Sequence, residues 1–344
     1  YGGEAQDMIG VPDARDARSH APIISLYGSK FEDLSPQASH LAELDLLLID
    51  LADVGSRYYT FVWTALLALR AAARQGVRTI VLDRPNPISG RYSSIEGACQ
   101  KDGYLSFVGL ESIPIRHALT LGEILAEFAA RDGLTIGTGC QLEIVPADSY
   151  KREWLASEWD RDFVPPSPNM PSWQTALVYP GACLLEGTNL SEGRGTTRPF
   201  ELFGAPWLNG FALAKALAAL SLPGFVARPL CFQPTFHKHA GKTCGGVQIH
   251  VTNPNTFRPV ATYLAAITLA QKLSPEQFQF RTETYEFIDN IPAFDLLTGS
   301  NQARLAINNN MPPGDVIDLL CPVDKDYGDL HARAVHRVAR LTPQ

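Results

Sequence analysis

Apolar residues fall in two patterns along this chain: short, nearly unbroken runs, and longer stretches rich in Ala and Leu. Residues 22–26 predict a short strand. Residues 44–51 predict a second, with the near-continuous apolar character of a parallel strand buried on both faces. A helix is predicted over Phe61–Arg74, ended by Gln75-Gly76. Residues 77–82 read as a third strand, closed by Asp83-Arg84-Pro85-Asn86-Pro87. A helix near Leu121–Arg131 stops at Asp132-Gly133, and residues 141–145 form another strand. Strands alternating with helices predict an open α/β sheet, Rossmann-like in order, with helices on both faces. Four prolines within residues 164–171 exclude regular helix and central strand, and place a domain boundary there. Residues 1–164 then form one α/β domain and 165–344 a second. The second has a helix near 208–220, strands near 226–232 and 247–251, and helices near 259–272 and 330–341.

Residues 186–201 break the patterning. No period of 2 or 3.6 runs through Glu-Gly-Thr-Asn-Leu-Ser-Glu-Gly-Arg-Gly-Thr-Thr-Arg-Pro-Phe-Glu. A polar loop of this length, with glycines at 187, 193 and 195, is either a solvated turn or a binding element. Glu186, Asn189, Glu192 and Arg194 need partners if they are buried. Two further polar clusters follow strands, where open α/β sheets bind ligands. In the first, Asp53 and Arg57 are placed to hold a polar ligand and Tyr58 or Tyr59 to pack on a sugar face; helix capping and a surface ion pair are the plain alternative. In the second, two prolines stiffen the loop around Asn86, and Glu96 lies beside Gly97, with Arg116-His117 near in sequence. In the segment 245–251, Gln248 and His250 share one strand face. Tyr285, Glu286 and Asp295 stand alone as signals.

Composition narrows the chemistry. The 344 residues carry 45% hydrophobic and 19% charged side chains and a net charge of −7, with no basic stripe, which argues against nucleic acid and anionic membranes as partners. No apolar run reaches membrane-spanning length. Six cysteines include no Cys-x-x-Cys pair. There is no Gly-x-Gly-x-x-Gly, no lysine-bearing phosphate loop and no His-x-x-x-His, so neither a nucleotide cofactor nor a metal is expected. Carboxylates, amides and tyrosines without a cofactor suit carbohydrate chemistry, where paired carboxylates do the work.

Asp53-Val-Gly-Ser-Arg-Tyr-Tyr-Thr, Asp83-Arg-Pro-Asn-Pro, Ile95-Glu-Gly, Pro114-Ile-Arg-His, Pro166-Ser-Pro-Asn-Met-Pro, Tyr179-Pro-Gly, the run 185–200, Cys244-Gly-Gly-Val-Gln-Ile-His and Leu296-Leu-Thr-Gly-Ser together resemble the bacterial exo-β-N-acetylmuramidase family (DUF1343, glycoside hydrolase family 171). The resemblance covers the chain from Tyr27 to about Ala306. It implies a Rossmann-like N-terminal domain without a dinucleotide, a smaller α/β C-terminal domain and a cleft between them. It implies release of N-acetylmuramic acid from the non-reducing end of peptidoglycan fragments, in a periplasmic or secreted setting, a cytoplasmic one being the alternative. Family members carry a Pro-Glu-His-Gly element upstream of the position of Tyr1, so part of the site is expected before this sequence begins. On that basis Glu96 is the first candidate for a catalytic carboxylate and Glu192 the second. Asp53, Arg57, Tyr58, Asn86, His117, Asn189, Arg194 and Tyr285 are expected to position substrate, with Arg57 or Arg194 pairing with the lactyl carboxylate. A non-catalytic muropeptide- or glycan-binding protein is the rival reading.

Overall fold

From residue 44 on, the strand–helix order read from the first half is the one observed, while the strand expected at 22–26 is a two-residue piece outside the parallel sheet. In the computed structural model, which describes residues 13–134, 141–322 and 325–342, a hairpin of β1 (Ala14–Arg15) and β2 (Pro22–Ile23) precedes a one-turn helix α1 (Ala38–Leu41). Then β3 (Leu46–Ile49), β4 (Arg78–Leu82) and β5 (Leu142–Val145) form a parallel sheet in that spatial order. Between them run α2 (Phe61–Arg74) and α3 (Leu121–Arg131), both on their predicted spans. The start of α3 is set by a reciprocal cap. Thr120 Oγ1 accepts from Glu123 N, and the Glu123 carboxylate accepts from Thr120 N; such caps are worth about 1 kcal/mol.

Helices on both faces of this sheet are not seen among the described residues. Val81, Leu142 and Ile144 are buried in one core with Leu66 of α2 and Ile124 and Phe128 of α3. On the opposite face Leu46 and Leu48 are 41% and 53% exposed. Among the described residues, the apolar run at 44–51 therefore makes an edge strand of this sheet with one covered face.

The second half is built on an antiparallel sheet in which β8 (Cys244–Val251) lies between β6 (Leu202–Ala205) and β7 (Phe225–Phe232). Helices α4 (Trp173–Ala182), α5 (Gly210–Ala219), α6 (Pro259–Leu273), α7 (Ala293–Thr298), α8 (Gln302–Asn308) and α9 (Pro313–Leu320) complete it. A side chain at Gly245 would begin 2.2 Å from Leu208 O, and one at Gly246 would begin 2.0 Å from Phe203 O. Only glycine lets β6 and the turn before α5 lie this close to β8.

The largest core is shared between the halves. It joins Val54, Tyr58, Ile88 and Ile115 to Leu184, Phe203, Tyr263 and Phe294. The last helix, α10 (Lys325–Leu341), returns to the first half: Tyr327, Leu330 and Ala334 enter the core of α3, and Arg333 and Arg337 both bond to Glu127. Cys183, Cys231, Cys244 and Cys321 are free thiols; Cys140 lies outside the described residues. Among the described residues no helix is long and apolar enough to cross a membrane.

Candidate active site

The polar loop after α4 is not a solvated strip. It starts as a 3₁₀ turn over Cys183–Gly187 and is then sewn down by backbone bonds. Arg281 N donates to Gly187 O at 2.9 Å, Asn189 N to Gln279 O at 2.9 Å, and Phe200 N to Glu192 O at 2.7 Å; Ser191 and Gly204 exchange bonds of 2.8 and 3.0 Å. Gly193 and Gly195 take φ of 78° and 77°, the left-handed values that spare only glycine from strain. The chain thereby folds back over Glu192, which is fully buried.

Arg194 organises the loop's charges. Its Nη2 is 2.8 Å from Glu186 Oε1, its Nε is 3.3 Å from Glu192 Oε1, and its guanidinium lies 5.0 Å from the Phe200 ring centroid. Tyr285 donates its hydroxyl to the other Glu186 oxygen at 2.9 Å. Glu192 also meets Lys238 Nζ and His237 Nδ1, each at 3.0 Å. Burial alone would raise the Glu192 carboxyl, but Lys238, His237 and Arg194 hold it well below the usual carboxylate range. A carboxylate so held cannot serve as a proton donor near neutrality. Burial opposes the charge on Arg194, and Glu186 and Glu192 more than reverse that effect. Beside this group opens a cleft of about 430 Å³ lined by Thr188, Asn189, His237, Lys238, Gln279 and Arg281, among others. Asn189 reaches its wall with the amide already used: Nδ2 donates to Gln277 O at 2.7 Å, and Oδ1 accepts from Gln279 N at 3.0 Å.

A second cavity, of about 330 Å³, lies at the carboxyl ends of β3, β4 and β5, where this sheet type binds ligands. Asp53, Asp83, Arg84, Trp159, Arg161 and Phe163 are in its walls. Asp53 Oδ2 accepts from Gly55 N at 2.7 Å and lies 3.3 Å from His117 Nε2. Because Leu119 N donates to His117 Nδ1 at 3.1 Å, the ring proton belongs on Nε2, facing Asp53. Asp53 Oδ1 is buried and has no partner. Asp83 anchors α3, accepting from Thr120 Oγ1 at 2.6 Å and Gly122 N at 2.8 Å. Burial raises its carboxyl to about 6 against those bonds.

The remaining expected site residues are spent on architecture. Arg57 is 0% exposed, and its guanidinium donates to Ala98 O, Ile113 O and Leu297 O at 2.9, 2.8 and 2.5 Å. It ties three distant segments together and leaves no fork for a sugar carboxylate. Tyr58 is buried, with its hydroxyl on Pro180 O and its ring edge-on to Tyr179; a residue in the shared core does not present a sugar platform. The two prolines do immobilise Asn86, but on backbone: Nδ2 donates to Leu119 O at 2.9 Å and Oδ1 accepts from Ile88 N at 3.0 Å. Glu96 is 0% exposed, and Oε1 accepts from Ala261 N at 2.8 Å. Ala261 is in the first turn of α6, so this carboxylate caps a helix of the other half. Arg258 Nε is 3.8 Å away, and Arg116 pairs with Glu96 through its backbone. Gln248 and His250 both engage Arg228, at 2.8 and 3.2 Å, and line a shallow hollow of about 230 Å³.

Sequence reasoning missed His237 and Lys238, which complete the charge balance around Glu192. They follow β7 without periodicity, and only their basic run with His239 marks them.

Known proteins resemble this chain along almost its whole length. A family model described as exo-β-N-acetylmuramidase NamZ, N-terminal, matches residues 1–174, and its C-terminal counterpart matches residues 177–333. The peptidoglycan β-N-acetylmuramidase NamZ of Bacillus subtilis (strain 168) is 39% identical over 316 residues, covering 92% of this chain and 72% of that protein. Two crystal structures of DUF1343 family proteins from Bacteroides fragilis NCTC 9343 share the fold. One, at 1.65 Å resolution, has a TM-score of 0.82 at 30% identity; the other, at 1.30 Å, has 0.66 at 24%. Each alignment covers 94% of this chain and 81% of the other.

Proposed function

The chain belongs to the exo-β-N-acetylmuramidase family, and we propose that it is a glycoside hydrolase releasing N-acetylmuramic acid from the non-reducing end of peptidoglycan fragments. The observation that carries this is the match of both halves to one family, with a peptidoglycan β-N-acetylmuramidase 39% identical across 92% of the chain. The site chemistry agrees with it. Two carboxylates in unlike surroundings, Glu186 and Glu192, flank one guanidinium beside a cleft large enough for a sugar. We place the reacting bond near Glu186, Arg194 and Tyr285. Asp53, with its unpartnered oxygen, is a hydroxyl-binding group of the strand-end cavity. Of the two guanidiniums weighed for the lactyl carboxylate, Arg194 retains 26% side-chain exposure and Arg57 none, so Arg194 is the candidate.

The test is sugar release from a chromogenic N-acetylmuramic acid glycoside, run beside a titration with free N-acetylmuramic acid. Release with steady turnover supports the hydrolase. Binding without release supports a glycan-binding protein, a second reading favoured by Arg194, Lys238 and His237, which are locked around Glu192. Because peptidoglycan lies outside the cytoplasm, the reading also places the protein in the periplasm or the medium; recovery only in the cytoplasmic fraction of its own cells would contradict that.

A further inference from the structure

The turn that follows β7 is built onto the polar loop. Thr235 donates to Gly195 O twice, through N and Oγ1, both at 3.0 Å, and Gly241 N donates back to Pro234 O at 2.8 Å. Between these bonds three consecutive side chains reach the same loop. Lys238 Nζ donates to Leu185 O at 3.0 Å and to Leu190 O at 3.1 Å, and His239 Nε2 lies 2.7 Å from Asn189 O. His237 Nδ1 lies 3.0 Å from Glu192 Oε1. His237 and His239 both take left-handed backbone, at φ 66° and 58°, which costs energy in a residue with a β-carbon. Strain held in place by such a clamp gathers where a side chain has to be aimed.

Of the three, Lys238 and His239 are spent on carbonyls and His237 is not. Its side chain is 43% exposed and lines the cleft of about 430 Å³, while the carboxylate at its Nδ1 is fully buried. A carboxylate beside Nδ1 fixes a proton on that nitrogen and leaves Nε2, on the opposite edge of the ring, for exchange. Among the described residues nothing meets Nε2. A ring held at one nitrogen by a buried carboxylate and free at the other is the arrangement by which enzymes direct proton transfer through histidine. Its charged surroundings are Glu192 and Arg194 from the polar loop, Lys238 and His239 from its own turn, and Arg281 and Glu283 from the segment that also lines the cleft. Arg194 Nε is 3.3 Å from the same Glu192 oxygen, so the ring stands next to the guanidinium beside which the reacting bond is placed.

We infer that His237, held by Glu192 at Nδ1 and open to the cleft at Nε2, is the catalytic residue that exchanges protons with the glycosidic oxygen and with water. The inference rests on the hydrolase reading above. As the C1–O bond breaks, its electron pair goes to the glycosidic oxygen, and the Nε2 proton of the doubly protonated ring follows, freeing the leaving sugar as an alcohol. Water adds its hydroxyl to C1, and the proton it sheds returns to Nε2. One water is consumed per bond, and the ring ends as it began. Glu192 keeps its charge throughout and acts only by orienting the ring.

The experiment compares wild type, His237→Asn and His237→Gly by kcat/KM on two substrates. One is a nitrophenyl glycoside of N-acetylmuramic acid, whose leaving group needs no proton. The other is the disaccharide of N-acetylmuramic acid and N-acetylglucosamine, whose leaving group does. Asparagine and glycine both tolerate left-handed backbone, so both variants should fold, as thermal melting checks. Both should lose about 10²- to 10⁴-fold on the disaccharide and far less on the nitrophenyl glycoside. Free imidazole, entering the space left in His237→Gly, should restore disaccharide turnover by about 10-fold or more. Disaccharide turnover within about threefold of wild type, equal losses on the two substrates, or a loss that imidazole leaves untouched would each overturn the assignment. A wild type that releases sugar from neither substrate would instead bring down the hydrolase reading, and the assignment with it.

Discussion

Glu96 decides between catalysis and architecture most directly. Its carboxylate caps the first turn of α6 through Ala261 N at 2.8 Å, and its second oxygen has no partner. Burial raises its pKa above the ordinary 4.5, against the opposing pull of Arg258, the Ala261 bond and Arg116. A raised folded pKa means that the native state favours the protonated form. The stability this contributes is fully present below the unfolded value of about 4.5 and is lost as pH rises through the folded value. Glu96→Gln keeps the accepting oxygen and removes the buried charge. Its Tm relative to wild type should therefore climb between pH 4 and 8. Its turnover should stay within about threefold of wild type, where loss of a proton-transfer group would cost about 10²-fold or more. Glu96→Ala loses the cap, worth about 1–2 kcal/mol, and the buried methylene with its cavity adds about 1 kcal/mol. At about 2–4 °C per kcal/mol for a unit of 150–250 residues, the Ala variant should melt roughly 4–12 °C lower. The assays are thermal melting across pH and initial rates on the chromogenic glycoside. A Gln variant that melts like wild type at every pH yet loses two orders of magnitude in turnover would refute the capping argument.

Other expectations follow from the same geometry. Arg194→Lys keeps a charge but cannot span Glu186 and Glu192 with a planar fork, so the kcat/KM preference for muramic acid over N-acetylglucosamine glycosides should narrow about 10-fold or more; an unchanged ratio would move carboxylate recognition elsewhere. Asp53→Asn should raise the KM for the glycoside with little change in Tm, because Asp53 Oδ1 has no partner to lose; an unaltered KM would remove Asp53 from the substrate's reach. Tyr58→Phe should cost about 1 kcal/mol of stability through its lost bond to Pro180 O and leave KM unchanged. A raised KM with normal melting would return Tyr58 to the sugar.

How far the site could be read in advance depends on range. The polar loop stood out because 186–201 lacks any period, and its glycines marked a folded-back path; both inferences need only local sequence. That Arg194 would unite Glu186 and Glu192 was legible only as a need for partners. The partners supplied by Lys238 and His237 lie over forty residues away, and no local pattern announces a long-range ion pair. Arg57 and Glu96 misled for the opposite reason. A charged residue in a polar motif looks exposed, yet Arg57 is held by carbonyls as distant as Leu297 and Glu96 by α6.

By itself, the sequence determined the helices Phe61–Arg74 and Leu121–Arg131, the three parallel strands, and the family, since periodicity, capping residues and motif strings act over a few residues. Only the tertiary structure decided which charged groups face a cleft. It buried Glu96 on a helix end, turned Arg57 into a tie between segments, left Asp53 Oδ1 without a partner at the strand ends, and gathered Arg194, Lys238 and His237 around Glu192. Those outcomes depend on desolvation and on partners brought from remote parts of the chain, which packing alone supplies.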